Sequence, residues 1–202
     1  MMKKGKLIVI SGPSGVGKGS ICSQLLNMDS NYYFSISATT RSPRTNEQDG
    51  KDYFFISKKE FESKIGQGEM LEYAQYCSNY YGTPLDITQQ KRGEGHDVIL
   101  EIEVQGALSA KKKCPDAVMI FVLPPSLNEL KNRLVGRKTE NEKVIRKRLE
   151  TAISEIESAK HYEYLVINES INAAVAEVNE IICGNTEQTA NKQRLINTIL
   201  KC

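Results

Sequence analysis

The stretch that decides the fold is Lys6–Ser20, "KLIVISGPSGVGKGS". An apolar run, Leu7–Ile10, enters a turn holding four glycines, and a helical pattern, "SICSQLL", leaves it. Four consecutive apolar residues before a Gly-rich turn read as a strand buried on both faces. Glycines let the backbone turn tightly and aim consecutive N–H groups inward, forming a nest for an anion. The N-terminus of the following helix adds a partial positive charge, and Lys18 a full one.

The spacing Gly12-x4-Gly17-Lys18, between a strand and a helix, is that of a P-loop, which cradles the phosphates of a nucleoside triphosphate. Gly12, Pro13, Ser14, Gly15, Val16, Gly17, Lys18, Gly19 and Ser20 are therefore expected to bind ATP. One position departs from the common form. Gly19 follows the lysine, and the hydroxyl arrives at Ser20. Successive helical side chains stand about 100° apart, so Ser20 does not replace a hydroxyl at position 19. That weakens a GTPase or motor-ATPase reading, in which such a hydroxyl holds magnesium. The loop resembles that of small nucleotide kinases, where phosphates and water hold the ion and Ser20 would bond an α-phosphate oxygen.

Further apolar runs, "DVILEIEV" (97–104), "AVMIFVL" (117–123) and "YLVI" (164–167), read as three more buried strands. Between and after them lie the helical patterns "GALSAKKK", "SLNELKNRLVG", "NEKVIRKRLETAISEIESAKHY" and "INAAVAEVNEIIC". Strands alternating with helices predict a doubly wound α/β core with a parallel sheet. From Phe34 to Arg92 the texture changes to Tyr, Thr and Gly with half-buried alternation, expected as an inserted mixed β subdomain with one helix, "KKEFESKIGQ". The tail after Gly184 is polar and expected to fray, with "RLINTILKC" able to dock as a short helix.

The 202 residues carry a net charge of +2, with 40% apolar and 26% charged side chains, a soluble globular balance. That charge gives no reason to expect nucleic acid or an anionic membrane as a partner, and the triplet Lys111–Lys113 reads as a solvated face. The longest apolar run has seven residues, against roughly 20 for a membrane span. Five scattered cysteines without a C-x-x-C pair read as reduced thiols. Two isolated histidines argue against zinc. A cytoplasmic location is expected.

A second phosphate receptor is legible in "SISATTRSPRTNEQDGKDYFFI" (35–56). Arg41 and Arg44, with Pro43 between them and Tyr53 nearby, offer two planar forks for phosphate oxygens. "EYAQYCSNYYGTP" adds Glu72, Tyr81 and Thr83. Guanine presents N1–H and N2–H₂ donors side by side, which one carboxylate can accept together, and a hydroxyl can donate to O6.

The motifs "S-x-T-T-R-x-P-R…E…G-x-D-Y-x-F" and "NYYGT" resemble those of the guanylate kinases, and the likeness runs from about Lys6 to Cys183. It implies a P-loop NTPase-type parallel sheet core (1–33, 93–125 and 146–202), an inserted mixed β/α GMP-binding subdomain (34–92) and a helical lid (126–145). It implies transfer of the γ-phosphoryl of ATP to GMP with Mg²⁺, and leaves dGMP and oligomeric state open. Arg41, Arg44, Tyr53 and Tyr81 match the residues that hold the GMP phosphate; Ser37, Glu72 and Thr83 match the readers of the guanine edge. Glu101 and Glu103 alternate along the predicted strand 97–104 and so share a face; Glu101 is placed near guanine, Glu103 near the water shell of the magnesium. Arg133, Arg137 and Arg148 match lid arginines that neutralise charge during transfer beside Lys18, and Asn168 matches a position near the adenine. Two alternatives stand beside this reading: a non-catalytic guanylate-kinase-like binding module, and a kinase of another nucleoside monophosphate.

Overall fold

The computed structural model describes residues 3–76, 78–136 and 142–201. In chain order its elements begin with β1 (Leu7–Ser11), α1 (Lys18–Met28), β2 (Tyr32–Phe34), β3 (Ala38–Thr39), β4 (Phe54–Phe55) and α2 (Lys58–Gly66). They continue with β5 (Met70–Tyr76), β6 (Asn79–Pro84), α3 (Leu85–Gly93), β7 (Asp97–Glu101), α4 (Val104–Lys113) and β8 (Val118–Leu123). The last are α5 (Leu127–Val135), α6 (Glu142–Glu157), a 3-10 turn (Ser158–His161), β9 (Tyr164–Ile167), α7 (Ile171–Cys183) and α8 (Lys192–Lys201). The chain divides into two compact units. One takes Met1–Leu7, Ser30–Leu100 and Gln105–Ala117; the other takes Ile8–Asp29, Glu101–Val104 and Val118–Cys202.

The unit that holds the phosphate loop is built on parallel strands. β1 pairs with β8 from Ile8↔Val118 to Ser11↔Phe121, and β8 with β9 from Ile120↔Tyr164 to Leu123↔Ile167. Ile8, Val9, Ile10 and the run Met119–Leu123 are fully buried, as unbroken apolar strands of a helix-covered parallel sheet must be. α1 packs on α7. α5 and α6 meet through Leu130, Leu134 and Ala152, with Ile145 and Leu149 at the margin. Ser126 and Ser170 cap α5 and α7, accepting from the N–H groups of Glu129 and Ala173 and so satisfying otherwise orphaned donors.

The other unit pairs β2 with β7 in parallel, and builds a separate four-stranded sheet in the order β4-β3-β6-β5. One core cluster of this unit is Ala38, Phe61 and Met70, ringed by Phe54, Ile56, Ile65 and Tyr80. The rings of Phe61 and Tyr80 stack at 5.2 Å.

Three expectations are corrected. The strand expected over 97–104 ends at Glu101, and α4 already begins at Val104. The carbonyl of Ile102 accepts the Ser11 hydroxyl (2.7 Å) and the chain turns away, so Glu103 is not a strand residue. The segment 34–92 holds a second helix, α3, whose apolar content is too low to mark it in the sequence. The lysine triplet is not simply solvated: Lys111 Nζ donates to the Ala117 carbonyl (2.7 Å), and Lys113 Nζ to that of Met70. The end of the tail docks as a short helix, as expected: α8 buries Ile196 and Ile199. Among the described residues, Cys22, Cys114 and Cys183 are free thiols, and no helix is long and apolar enough to cross a membrane.

Candidate active site

Lys18 opens α1 directly after the loop, and its Nζ donates to the carbonyls of Gly12 (2.6 Å) and Pro13 (3.3 Å). Two glycines are required by both conformation and space. Gly15 (φ +88°) and Gly17 (φ +101°) lie where L side chains are strained. A Cβ on Gly15 would stand 2.8 Å from Leu134 Cδ2, and one on Gly17 would stand 2.5 Å from Asn168 Nδ2. The loop is therefore pressed against α5 and against the residue that follows β9. Gly19 has room for a Cβ, at 3.5 and 3.9 Å from the carboxylate oxygens of Glu101. The hydroxyl of this turn is instead carried by Ser20, an exposed residue.

Two predicted arginines touch this loop. Arg148, on α6, donates from Nη2 to Ser14 Oγ (2.5 Å). Arg133, on α5, donates to the carbonyls of Val16 (3.5 Å) and Asn168 (3.0 Å) and pairs with Glu129 (2.9 Å). Arg137 lies outside the described residues. Two carboxylates, Glu101 and Glu155, feel the charge of Lys18, and a third, Glu103, acts on both of them. Burial, with the charge of Glu103, pushes the Glu155 carboxyl up, and burial raises that of Glu101 against the lowering charge of Lys18. Sequence reasoning missed Glu155. Its signal is helical spacing: it lies seven residues, two turns, from Arg148 on the same face of α6. Among the described residues, no group of three or more His, Cys, Asp or Glu could hold an ion by itself.

Asn168 is 1% exposed, and its Nδ2 donates to the Val16 carbonyl (2.7 Å). Its Oδ1 is buried without a partner, a costly state for an acceptor. Asn168 lines a cavity of about 340 Å³ together with Gly15, Gly17, Arg133, Glu169, Ser170 and Ile171.

In the other unit, Arg41 lies beside two aromatic rings that touch each other at 5.8 Å, its Cζ 5.5 Å from the ring of Tyr53 and 5.8 Å from that of Phe55. Tyr81 hydrogen-bonds Arg41 and lies 6.1 Å from Tyr53, edge to face. Three of the four residues expected at the acceptor phosphate are thus together. Arg44, the fourth, is exposed; its backbone N–H donates to Glu47 Oε2 (2.8 Å). Glu47, also missed, takes both arms of Arg41 at 2.8 and 2.9 Å. Those bonds hold its carboxyl below the ordinary glutamate range.

Glu72 and Thr83 face each other across β5 and β6, and Thr83 Oγ1 donates to Glu72 Oε1 (2.7 Å). Both are buried, at 6% and 1% exposure. Burial raises the Glu72 carboxyl, opposed by the Thr83 bonds and the charge of Lys113. A Cβ on Gly106 would stand 2.4 Å from Glu72 Oε2, so α4 leaves a notch that only glycine provides. Ser37, half-buried, precedes β3. Glu101 has its observed neighbours at the phosphate loop.

The family model for guanylate kinase matches residues 4–185. The guanylate kinase of Clostridioides difficile (strain 630) is 50% identical over 195 residues, 96% of this chain and 95% of that protein. The guanylate kinase of Halalkalibacterium halodurans is likewise 50% identical, over 96% and 94% of the two chains. The crystal structure of guanylate kinase from Anaplasma phagocytophilum is similar with a TM-score of 0.72 at 30% identity, covering 95% of this chain and 90% of that one.

Proposed function

The chain belongs to the guanylate kinase family, and from that premise we propose how its residues divide the work. The enzyme transfers the γ-phosphoryl group of ATP to GMP, giving ADP and GDP. Its relatives, matched over 94–95% of their own length, carry the name of guanylate kinases, and nothing favours a non-catalytic module or another acceptor base. We place its work in the cytosol, where both nucleotides are found.

The acceptor phosphate's own oxygen attacks, so no side chain serves as nucleophile. Catalysis rests on positioning and on charge placed where the transferring group needs it. The free N–H groups of the loop, from which Pro13 and Val16 are excluded, and the charge of Lys18 hold the β- and γ-phosphates. Ser20 is assigned to an α-phosphate oxygen. Arg148 beside Ser14, together with Arg133 and Arg137, neutralises charge that develops in transfer. Asn168 Oδ1, a buried acceptor without a donor, suits the exocyclic amine of adenine and repels the O6 of guanine, which supports ATP as the donor nucleotide.

Mg²⁺ bound by the nucleotide would supply Lewis-acid charge at the phosphates. A magnesium ion keeps several waters and takes one or two carboxylates. The chain offers Glu103 for its water shell, with Glu101 beside Lys18 and Gly19. For Glu101 the resemblance implies a contact to guanine; its observed neighbours support a further part in setting the charge around Lys18.

Arg41, Arg44, Tyr53 and Tyr81 are assigned to the GMP phosphate, and Glu72, Thr83 and Ser37 to the guanine edge. The observation that carries the base assignment is the buried Glu72–Thr83 pair. Thr83 occupies one oxygen of the carboxylate, and the notch at Gly106 fixes where the other can go. Losing one partner of a buried charged pair costs about 2–5 kcal/mol. Glu72→Gln should therefore lower kcat/KM for GMP by at least about 30-fold, while AMP improves relative to GMP. Assay of Glu72→Gln and of the unmodified enzyme with ATP and each of GMP, AMP, CMP and UMP decides it. Unchanged selectivity for GMP over AMP in Glu72→Gln would remove Glu72 as the base reader.

A further inference from the structure

The family model ends at residue 185, yet the chain beyond it is built into the phosphate-loop unit. Thr189 joins β9: its N–H donates to the Glu163 carbonyl (3.1 Å), and its hydroxyl accepts from the Leu165 N–H (2.8 Å). Lys192 Nζ then donates to the Tyr162 carbonyl (2.5 Å). α8 follows with Ile196 and Ile199 buried on one face, and Gln193, Arg194, Asn197 and Thr198 exposed on the other. The helix packs against α5, α6 and the 3-10 turn between α6 and β9.

Those two helices carry the arginines that reach the phosphate loop. Arg133 of α5 donates to Val16 and Asn168, and Arg148 of α6 to Ser14. Leu130 and Leu134 of α5 lie directly against Gly15. α8 thus backs a layer whose front face is the loop itself. Long arginine side chains reach a fixed point only when the helix beneath them is fixed. A displacement of about 1 Å far from the chemistry can cost on the order of 100-fold in rate.

We propose that α8 is a positioning element of the donor site: it holds α5 and α6 so that Arg133 and Arg148 meet the phosphate loop in register. The proposal rests on the reading that this loop takes the phosphates of ATP, which steady-state kinetics of the unmodified enzyme test separately.

The test uses full-length variants, assayed well below their melting temperatures. Ile196→Ala should lower kcat/KM for ATP at least about fivefold. The Kd for GMP, measured by calorimetry, should stay unchanged, and Ile196→Val should restore most of the loss. Ile181→Ala, in the last turn of α7, removes the same atoms from the same unit away from α5 and α6; it should lower the melting temperature without moving the ATP parameters. If Ile196→Ala folds and its kcat/KM for ATP equals that of the unmodified enzyme or of Ile181→Ala, the proposal fails. If Ile196→Ala does not fold, Lys192→Ala decides: a measurable drop in kcat/KM for ATP with GMP affinity retained supports the proposal, and unchanged kinetics overturn it.

Discussion

At the scale of single residues, the place of the Glu72 carboxylate, the proposed reader of the base, depends on an atom that is missing. Gly106 lies on α4, thirty-four positions from Glu72, and its lack of a Cβ makes room for Glu72 Oε2. The opposing atom is the end of a buried carboxylate held from the other side by Thr83, so it has little freedom to retreat. Gly106→Ala should push the carboxylate off the guanine edge. The expected result is a KM for GMP raised at least about tenfold, as for loss of a charged hydrogen bond worth roughly 1.5–3 kcal/mol. The KM for ATP should be nearly unchanged. Equal losses for both nucleotides would mean that the substitution disrupts folding rather than base reading.

At the scale of elements, α6 presents a cation and a carboxylate two turns apart to one loop. Arg148 donates to Ser14, and Glu155 stands near Lys18 and Glu103. Charge that meets the transferring group only in the transition state should appear in kcat. Arg148→Ala should lower kcat by about 10²–10³-fold, the scale for removing one preorganised donor, with a much smaller rise in KM for GMP. Arg148→Lys should restore only part of it, because a compact ammonium lacks the planar fork. Steady-state kinetics with GMP varied at saturating ATP check both. A loss confined to GMP affinity would put Arg148 in the acceptor site instead.

At the scale of the whole molecule, the two proposed phosphate receptors draw on different stretches of chain. Lys18 belongs to the unit that holds the loop, and Arg41, Tyr53, Tyr81 and Glu72 to the other. Lys18→Ala should abolish transfer and leave the calorimetric Kd for GMP nearly intact. A large loss of GMP affinity would show that the two receptors do not act separately.

The sequence by itself determined what depends on neighbours along the chain. Strand, loop and helix over 7–28 follow from an apolar run, positive-φ glycines and Lys18 within one short stretch. β9 falls on Tyr164–Ile167 as read, and Arg41, Tyr53 and Tyr81 gather because each lies on or beside a short strand of one small sheet. Only the tertiary structure decided what depends on contacts between distant segments. The strand from Asp97 stops at Glu101 because Ser11 takes the Ile102 carbonyl, a bond across ninety-one positions that no period of two reveals. Glu155 joins the surroundings of Lys18 on the same helix, α6, that brings Arg148 to the loop, and α8 docks against α5, α6 and the 3-10 turn, all distant from it along the chain. Periodicity reports which side of an element is buried. It does not report what lies opposite, and in this enzyme the notch at Gly106, the unpaired oxygen of Asn168 and the backing of the arginines are all set by what lies opposite.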